Sequence, residues 1–243
     1  MTSAQLGALL LGAVTTLASA RAVGADPSIA RFPANAAQSP ASRYGKLTQK
    51  GCHAELDRRK IGWRPADPAP GVRGPVRLTG KLGGVTWRTD YPDAARRNTP
   101  YEIFDCRLVL GMHDFSAVLR AHGVDEVRIF SGWRPPARSW PHGKIGRRHP
   151  GGLAVDVRSM KKATGKSLAV LDHWAGRIGA ETCGADAAAP ASDAAETREL
   201  RSIVCEAADL RMFNSILSPN YDAAHANHLH LEVAPGVKWF IVR

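Results

Sequence analysis

Apolar residues recur at a helical period most clearly near the middle of the chain. Leu108, Val109, Met112, Phe115, Val118 and Leu119 share one face of a 3.6-residue repeat; Asp105 is placed to cap the first turn and Gly123 to stop the last. The next segment, VDEVRIFSGW, predicts a strand ending in Ser-Gly, and GLAVDVRSM predicts a second. Between them, RPPARSWPHGKIGRRHPGG is too rich in Pro and Gly for regular structure. Upstream, VRLTGKLGGVTW alternates around glycines and predicts a β-hairpin. Downstream, residues 184–195 form a low-complexity surface loop, and Leu200, Ile203, Val204 and Ala207 mark a second helix. MFNSIL and HLHLEV are expected as the last two strands. There is no internal repeat, and helices and strands mix without regular βαβ alternation. The expected fold class is α+β, a small, mostly antiparallel sheet flanked by helices.

The ends of the chain read differently. Residues 1–20 contain no Lys, Arg, Asp or Glu, and LGALLLGAV runs into the small residues of LASARAVGA. Residues 1–25 therefore read as a secretory leader, with cleavage patterns at Ala18-Ser19-Ala20 and Val23-Gly24-Ala25. The apolar run is too short for a comfortable membrane span, so no stable span is expected once the leader is removed. Residues 26–50, rich in Ala, Pro, Ser and Arg, are expected as a flexible linker, and 51–243 as the folded domain. An exported chain lies in a disulfide-permissive compartment, the periplasm or beyond. Four cysteines, Cys52, Cys106, Cys183 and Cys205, with no C-x-x-C spacing, suggest two disulfides rather than a cysteine zinc site. The pairing 52–106 and 183–205 is favoured, because each pair flanks its own segment. A net charge of +11 and a pI of about 10 suit a polyanionic setting such as an anionic wall polymer. The charges are dispersed, and no basic helix or RNP-type aromatic motif argues for nucleic acid.

The candidate chemistry lies in two motifs. In HPGGLAVD, a Pro-Gly-Gly turn can bring His149 back beside Asp156, whose carboxylate sits in an otherwise apolar strand. A bound cation would stabilise it; so would a salt bridge to a nearby arginine. In HANHLHLEV, His228 and His230 project from one face of a strand, and Leu229 and Leu231 from the other. Zinc accepts His nitrogen and Asp oxygen, and a catalytic site uses three protein ligands, which His149, Asp156 and His230 would supply. His228 would then be free to act on water or an oxyanion. Ser131 and Ser139 do not sit in G-x-S-x-G, so a serine nucleophile has little support. His53, His113, His122 and His173 read as surface or helix residues. His142 could contact substrate from the irregular loop. Trp133 and Trp140 fit either a groove or the core.

These motifs resemble those of the LAS metallopeptidases, which comprise D-Ala-D-Ala carboxypeptidases and dipeptidases, the penicillin-insensitive murein endopeptidase and the hedgehog domain. They resemble most of all the bacterial extensin-like C-terminal family. The resemblance covers roughly Cys52 to Phe240. It implies Zn2+ held by His149, Asp156 and His230. It implies that Arg134, in SGWRPP, holds the substrate or polarises its carbonyl, a task suited to a fixed, permanently charged fork of donors. The expected partner is then peptidoglycan or another anionic wall polymer. The chain departs from the pattern at Arg147, where the motif has Ser, and at Asn227, where the carboxypeptidase branch has a Glu base. It matches the endopeptidase branch's H-x-x-H-x-H with His225, His228 and His230, which leaves His225 and His228 as the local base candidates. Two functions follow: a zinc peptidase cutting peptidoglycan peptides, or a zinc-containing wall-binding or structural protein without turnover.

Overall fold

The computed structural model describes Met1 and residues 29–31, 37–66, 69–135 and 147–243. The rest of the expected leader, and Ser139, Trp140 and His142, lie outside the described residues. In chain order the elements are β1 (Ile29–Arg31), α1 (Pro40–Gly45), α2 (Gln49–Arg58), β2 (Trp63–Pro65), β3 (Pro75–Leu78), β4 (Thr86–Arg88) and α3 (Asp93–Arg96). There follow β5 (Phe104–Asp105), α4 (Cys106–Ala121), β6 (Val124–Ser131), β7 (Ala154–Lys162), β8 (Ser167–Ala169) and α5 (Val170–His173). Last come α6 (Ala195–Asp209), β9 (Ser215–Leu217), β10 (Leu229–Glu232) and β11 (Trp239–Val242).

Among the described residues the chain is a mixed α and β protein built on two sheets. The larger has eight strands in the order β1-β11-β9-β10-β7-β6-β4, with β8 paired to the far end of β7. It is larger than expected and mostly antiparallel, with β4–β6 and β9–β11 parallel. The smaller runs β2-β3-β5. Two expectations need correction. VRLTGKLGGVTW is not a hairpin: β3 pairs with β2 and β5, whereas β4 joins the large sheet beside β6. The alternation reports extended chain, and the turn at Gly83-Gly84 only bridges Leu82 to Val85 before the strands part. HLHLEV is not the end of the sheet either, since β11 follows it and pairs with β9 and β1.

The folded part also begins upstream of the expected boundary. Within the stretch read as linker, β1 pairs with β11, and α1, capped by Ser39, buries Ala41 and Tyr44. Tyr44 donates to Asp114 on α4, and Arg59 donates to both Tyr44 and Asp114. The main core lies between one face of the large sheet and the helices α4 and α6. Val155 and Val157 of β7 and Leu229 and Leu231 of β10 enter it with Leu108, Met112, Phe115, Leu200 and Val204. Asp105 caps α4 by accepting from the Arg107 amide, as the sequence suggests. Two disulfides, Cys52–Cys106 and Cys183–Cys205, tie α2 to α4 and the segment before α6 to that helix. None of the described helices is long and apolar enough to cross a membrane.

Candidate metal centre

On the sheet face away from that core, β7 and β10 place His230 directly opposite Asp156. Directly opposed residues of antiparallel strands share a face. Because side chains alternate, the leucines and valines between them point into the core while these two polar groups point away. His149 arrives from the preceding turn, a 3-10 turn over His149–Gly151 that ends at Gly152 with φ +64°. Only glycine suits that position: a Cβ there would lie 2.8 Å from the Asp105 nitrogen. Trp133 braces the turn, its indole N–H donating to the Pro150 carbonyl at 3.2 Å. It is buried with Ile103, Ala66 and Ala69, so of its two readings packing is the one observed.

Three ligand atoms converge. His149 Nε2 lies 3.0 Å from Asp156 Oδ1 and 3.2 Å from His230 Nδ1, which is itself 3.2 Å from Asp156 Oδ1. All three side chains are buried. His149 Nδ1 is 2.7 Å from the Gly132 carbonyl, which can only accept, so Nδ1 carries the proton and Nε2 presents a lone pair. That lone pair faces a carboxylate oxygen, an arrangement that a cation between them, or a proton on His230 Nδ1, stabilises. Burial pushes the His149 imidazole below its usual range, so a proton is a poor candidate for that cation. For Asp156, burial alone would raise the carboxyl, but the bonds to His149 and His230 outweigh it and hold it well below the usual range. For His230, burial is outweighed by Asp156 and Glu232, and the imidazole is raised. Around a tetrahedral ion bound at about 2.0–2.1 Å, ligand atoms stand about 3.3–3.4 Å apart, close to the observed separations. The cluster can therefore hold a metal ion.

The remaining expected site residues lie around this centre. His228 Nε2 is 3.5 Å from Asp156 Oδ1, and its Nδ1 is 2.9 Å from Asn227 Oδ1. Burial pushes its pKa down to about 4, so it is neutral near pH 7. The His225 ring stands 5.0 Å from that of His228 and 6.0 Å from that of His230, and Asp222 holds its Nδ1 at 2.7 Å. Arg134, half exposed, reaches to 3.5 Å from Asp156 Oδ2. Ser131 is buried and lies 3.4 Å from the same oxygen, as a support for the carboxylate. Arg147, at the motif's Ser position, is exposed and contributes its carbonyl to the turn. His53 and His113 lie within α2 and α4, His122 caps α4, and His173 ends α5, all away from the centre.

Two contributors escape sequence reasoning. Glu232 is buried, with Oε2 3.5 Å from His230 Nε2, and Arg148 approaches the same oxygen at 3.6 Å. A carboxylate behind a ligating imidazole fixes its orientation and raises its basicity. The signal was available, since H-x-H-x-E continues the two-residue alternation onto the same face. The other is Phe130, 40% exposed. Ile129 pairs with Val157 and Ser131 with Asp156, so Phe130 is the extra residue of a bulge. The bulge turns its ring edge-on to His228 at 6.0 Å, with Arg158 over it. No periodicity announces it.

An α+β frame whose paired central strands and a glycine turn assemble a buried His-Asp-His cluster defines a candidate metal-binding protein. Residues 52–242 match the model of the Extensin-like protein C-terminus family, and the chain belongs to that family. No curated protein and no solved structure matches it.

Proposed function

We propose that the chain is an exported, zinc-dependent peptidase acting on the peptides of peptidoglycan. The observation that carries this reading is the convergence of His149 Nε2, Asp156 Oδ1 and His230 Nδ1 within 3.2 Å of one another. The resemblance to the LAS peptidases, the two disulfides and the apolar N-terminus support it. His149, Asp156 and His230 would hold the zinc, with Gly132 and Glu232 orienting the two imidazoles. Zinc, when bound, supplies Lewis-acid chemistry that makes water a nucleophile near neutral pH and polarises a carbonyl. His228 is neutral and, with Nδ1 bonded to the Asn227 oxygen, keeps a lone pair on Nε2. It can accept the proton of the attacking water and pass it to the departing amine. Arg134 presents its guanidinium at the opening, where it would hold a substrate carbonyl or carboxylate. Phe130 would line the approach.

A second reading is a zinc-containing wall-binding protein without turnover. What favours it is the place of the carboxylates: Asn227 stands where a Glu base would, and Glu232 is buried behind His230. Incubation of purified sacculi with the zinc-loaded protein separates the two. Released muropeptides or new amine termini, lost in His228→Ala, support the peptidase. Sedimentation with sacculi and no release supports the binder and rejects the peptidase.

A further inference from the structure

A cavity of about 510 Å³ lies between the small sheet and the β4 edge of the large one. Among its lining residues are five cations, Arg64, Arg77, Lys81, Arg96 and Arg97, and two acids, Asp93 and Glu102. Both acids are engaged by one arginine: Arg96 lies 3.0 Å from Asp93 and 2.7 Å from Glu102. Glu102 also accepts from the amide and hydroxyl of Thr89. Among the described residues, Arg64, Arg77, Lys81 and Arg97 form no salt bridge, and Arg77 has only a longer-range charge interaction with Glu102. Arg64 and Arg77 are directly opposed in the β2–β3 register, so two like charges share one face. Such a pair is destabilising in a sheet. Arg77 is nonetheless fixed in place, donating to the Thr99 carbonyl at 2.7 Å. Burial, then the charge of Arg64, pull its guanidinium down, against a smaller opposing effect of Glu102. Trp87 and Phe104 lie beneath these groups, almost wholly buried in the main core.

We infer that this cavity is a phosphate-binding site, separate from the metal centre, in which Arg64, Arg77 and Lys81 hold the oxyanion. Two guanidiniums carried on one face of paired strands match a doubly charged, multi-oxygen group better than a single carboxylate. The volume leaves room for a phosphate ester as well as for the free ion. The site does not rest on the metal reading, and Asp156→Ala leaves it intact.

Isothermal titration of the full chain at constant ionic strength tests this, with inorganic phosphate, glycerol phosphate and acetate as probes. Saturable binding of both phosphates is expected, at least tenfold tighter than acetate. Arg64→Gln combined with Lys81→Gln weakens it at least tenfold. Both residues are exposed, and an unchanged circular dichroism melt certifies the fold. Tighter glycerol phosphate identifies an ester ligand, and equal affinities identify the free ion; either supports the oxyanion site. Absence of saturable phosphate binding, acetate binding equally well, or unchanged affinity in the double variant each overturns it. Removal of one of two repelling charges should also leave the melting temperature of phosphate-free Arg64→Gln equal to or above that of the wild type. A drop would show that Arg64 serves the fold instead.

Discussion

The Nδ1–H of His149 donates a hydrogen bond to the Gly132 carbonyl, and this one bond determines what the opposite nitrogen can do. With Nε2 left as a lone pair beside the Asp156 carboxylate and His230 Nδ1 alongside, the three atoms can hold a metal ion. The same reasoning gives Glu232 a purpose. If it orients and activates His230, Glu232→Gln should weaken metal affinity about 10–100-fold while leaving stoichiometry unchanged, measured by competition with a chromophoric chelator. Substitution of Gly152 tests the turn that delivers His149. Gly152→Ala must adopt a left-handed backbone and press on the Asp105 nitrogen, which costs about 1–3 kcal/mol in urea denaturation. At this scale much was legible in advance. Asp156 and His230 are polar groups in apolar strands, with His149 and His228 at fixed spacing before them, and spacing is what a sequence records. Phe130 was not, because a bulge arises from the pairing of two strands and leaves no mark in either one alone.

Elements became legible in proportion to the length of their buried stripe. α4 and α6 each bury a repeating face over several turns, so their periods stand out. α2 buries only Cys52 and Leu56, one turn apart, and that signal is too short to register. β3 and β4 read as extended but revealed nothing of their partners, since alternation is the same whichever strand lies alongside. α1 was hidden for another reason: its anchor is polar. Burial first, then the bond and charge of Asp114, push the Tyr44 hydroxyl up to about 12. A folded pKa above the unfolded value of about 10 stabilises the fold fully below pH 10. That contribution is lost as pH rises through 12. The urea midpoint of the wild type should therefore fall between pH 10 and 12, and Tyr44→Phe should flatten that decline. The disulfides act over longer range. Cys52 and Cys106 are 54 residues apart and Cys183 and Cys205 are 22 apart. Loop entropy assigns them about 4 and about 3 kcal/mol, so Cys52→Ser with Cys106→Ser should be the more damaging pair in denaturant melts.

For the whole molecule, the large sheet serves two purposes with its two faces. Val155, Val157, Leu229 and Leu231 bury one face under α4 and α6, and this core holds β7 and β10 in the register that sets His230 across from Asp156. The site is split by 74 residues between Asp156 and His230, yet its two halves are adjacent strands, so rigidity of the fold is rigidity of the ligand geometry. The opening carries Arg134, His228, His225 and Phe130, which gives the buried cluster an accessible rim of one guanidinium, two imidazoles and a phenyl ring. Everything proposed for the function depends on that ligand set holding zinc. The most direct test is the metal content of the purified full chain by inductively coupled plasma mass spectrometry, beside His149→Ala and Asp156→Ala. About one zinc per wild-type chain, lost in both variants while their disulfides and circular dichroism persist, is the predicted result. A wild-type chain without stoichiometric metal, after exposure to zinc and desalting, would contradict it.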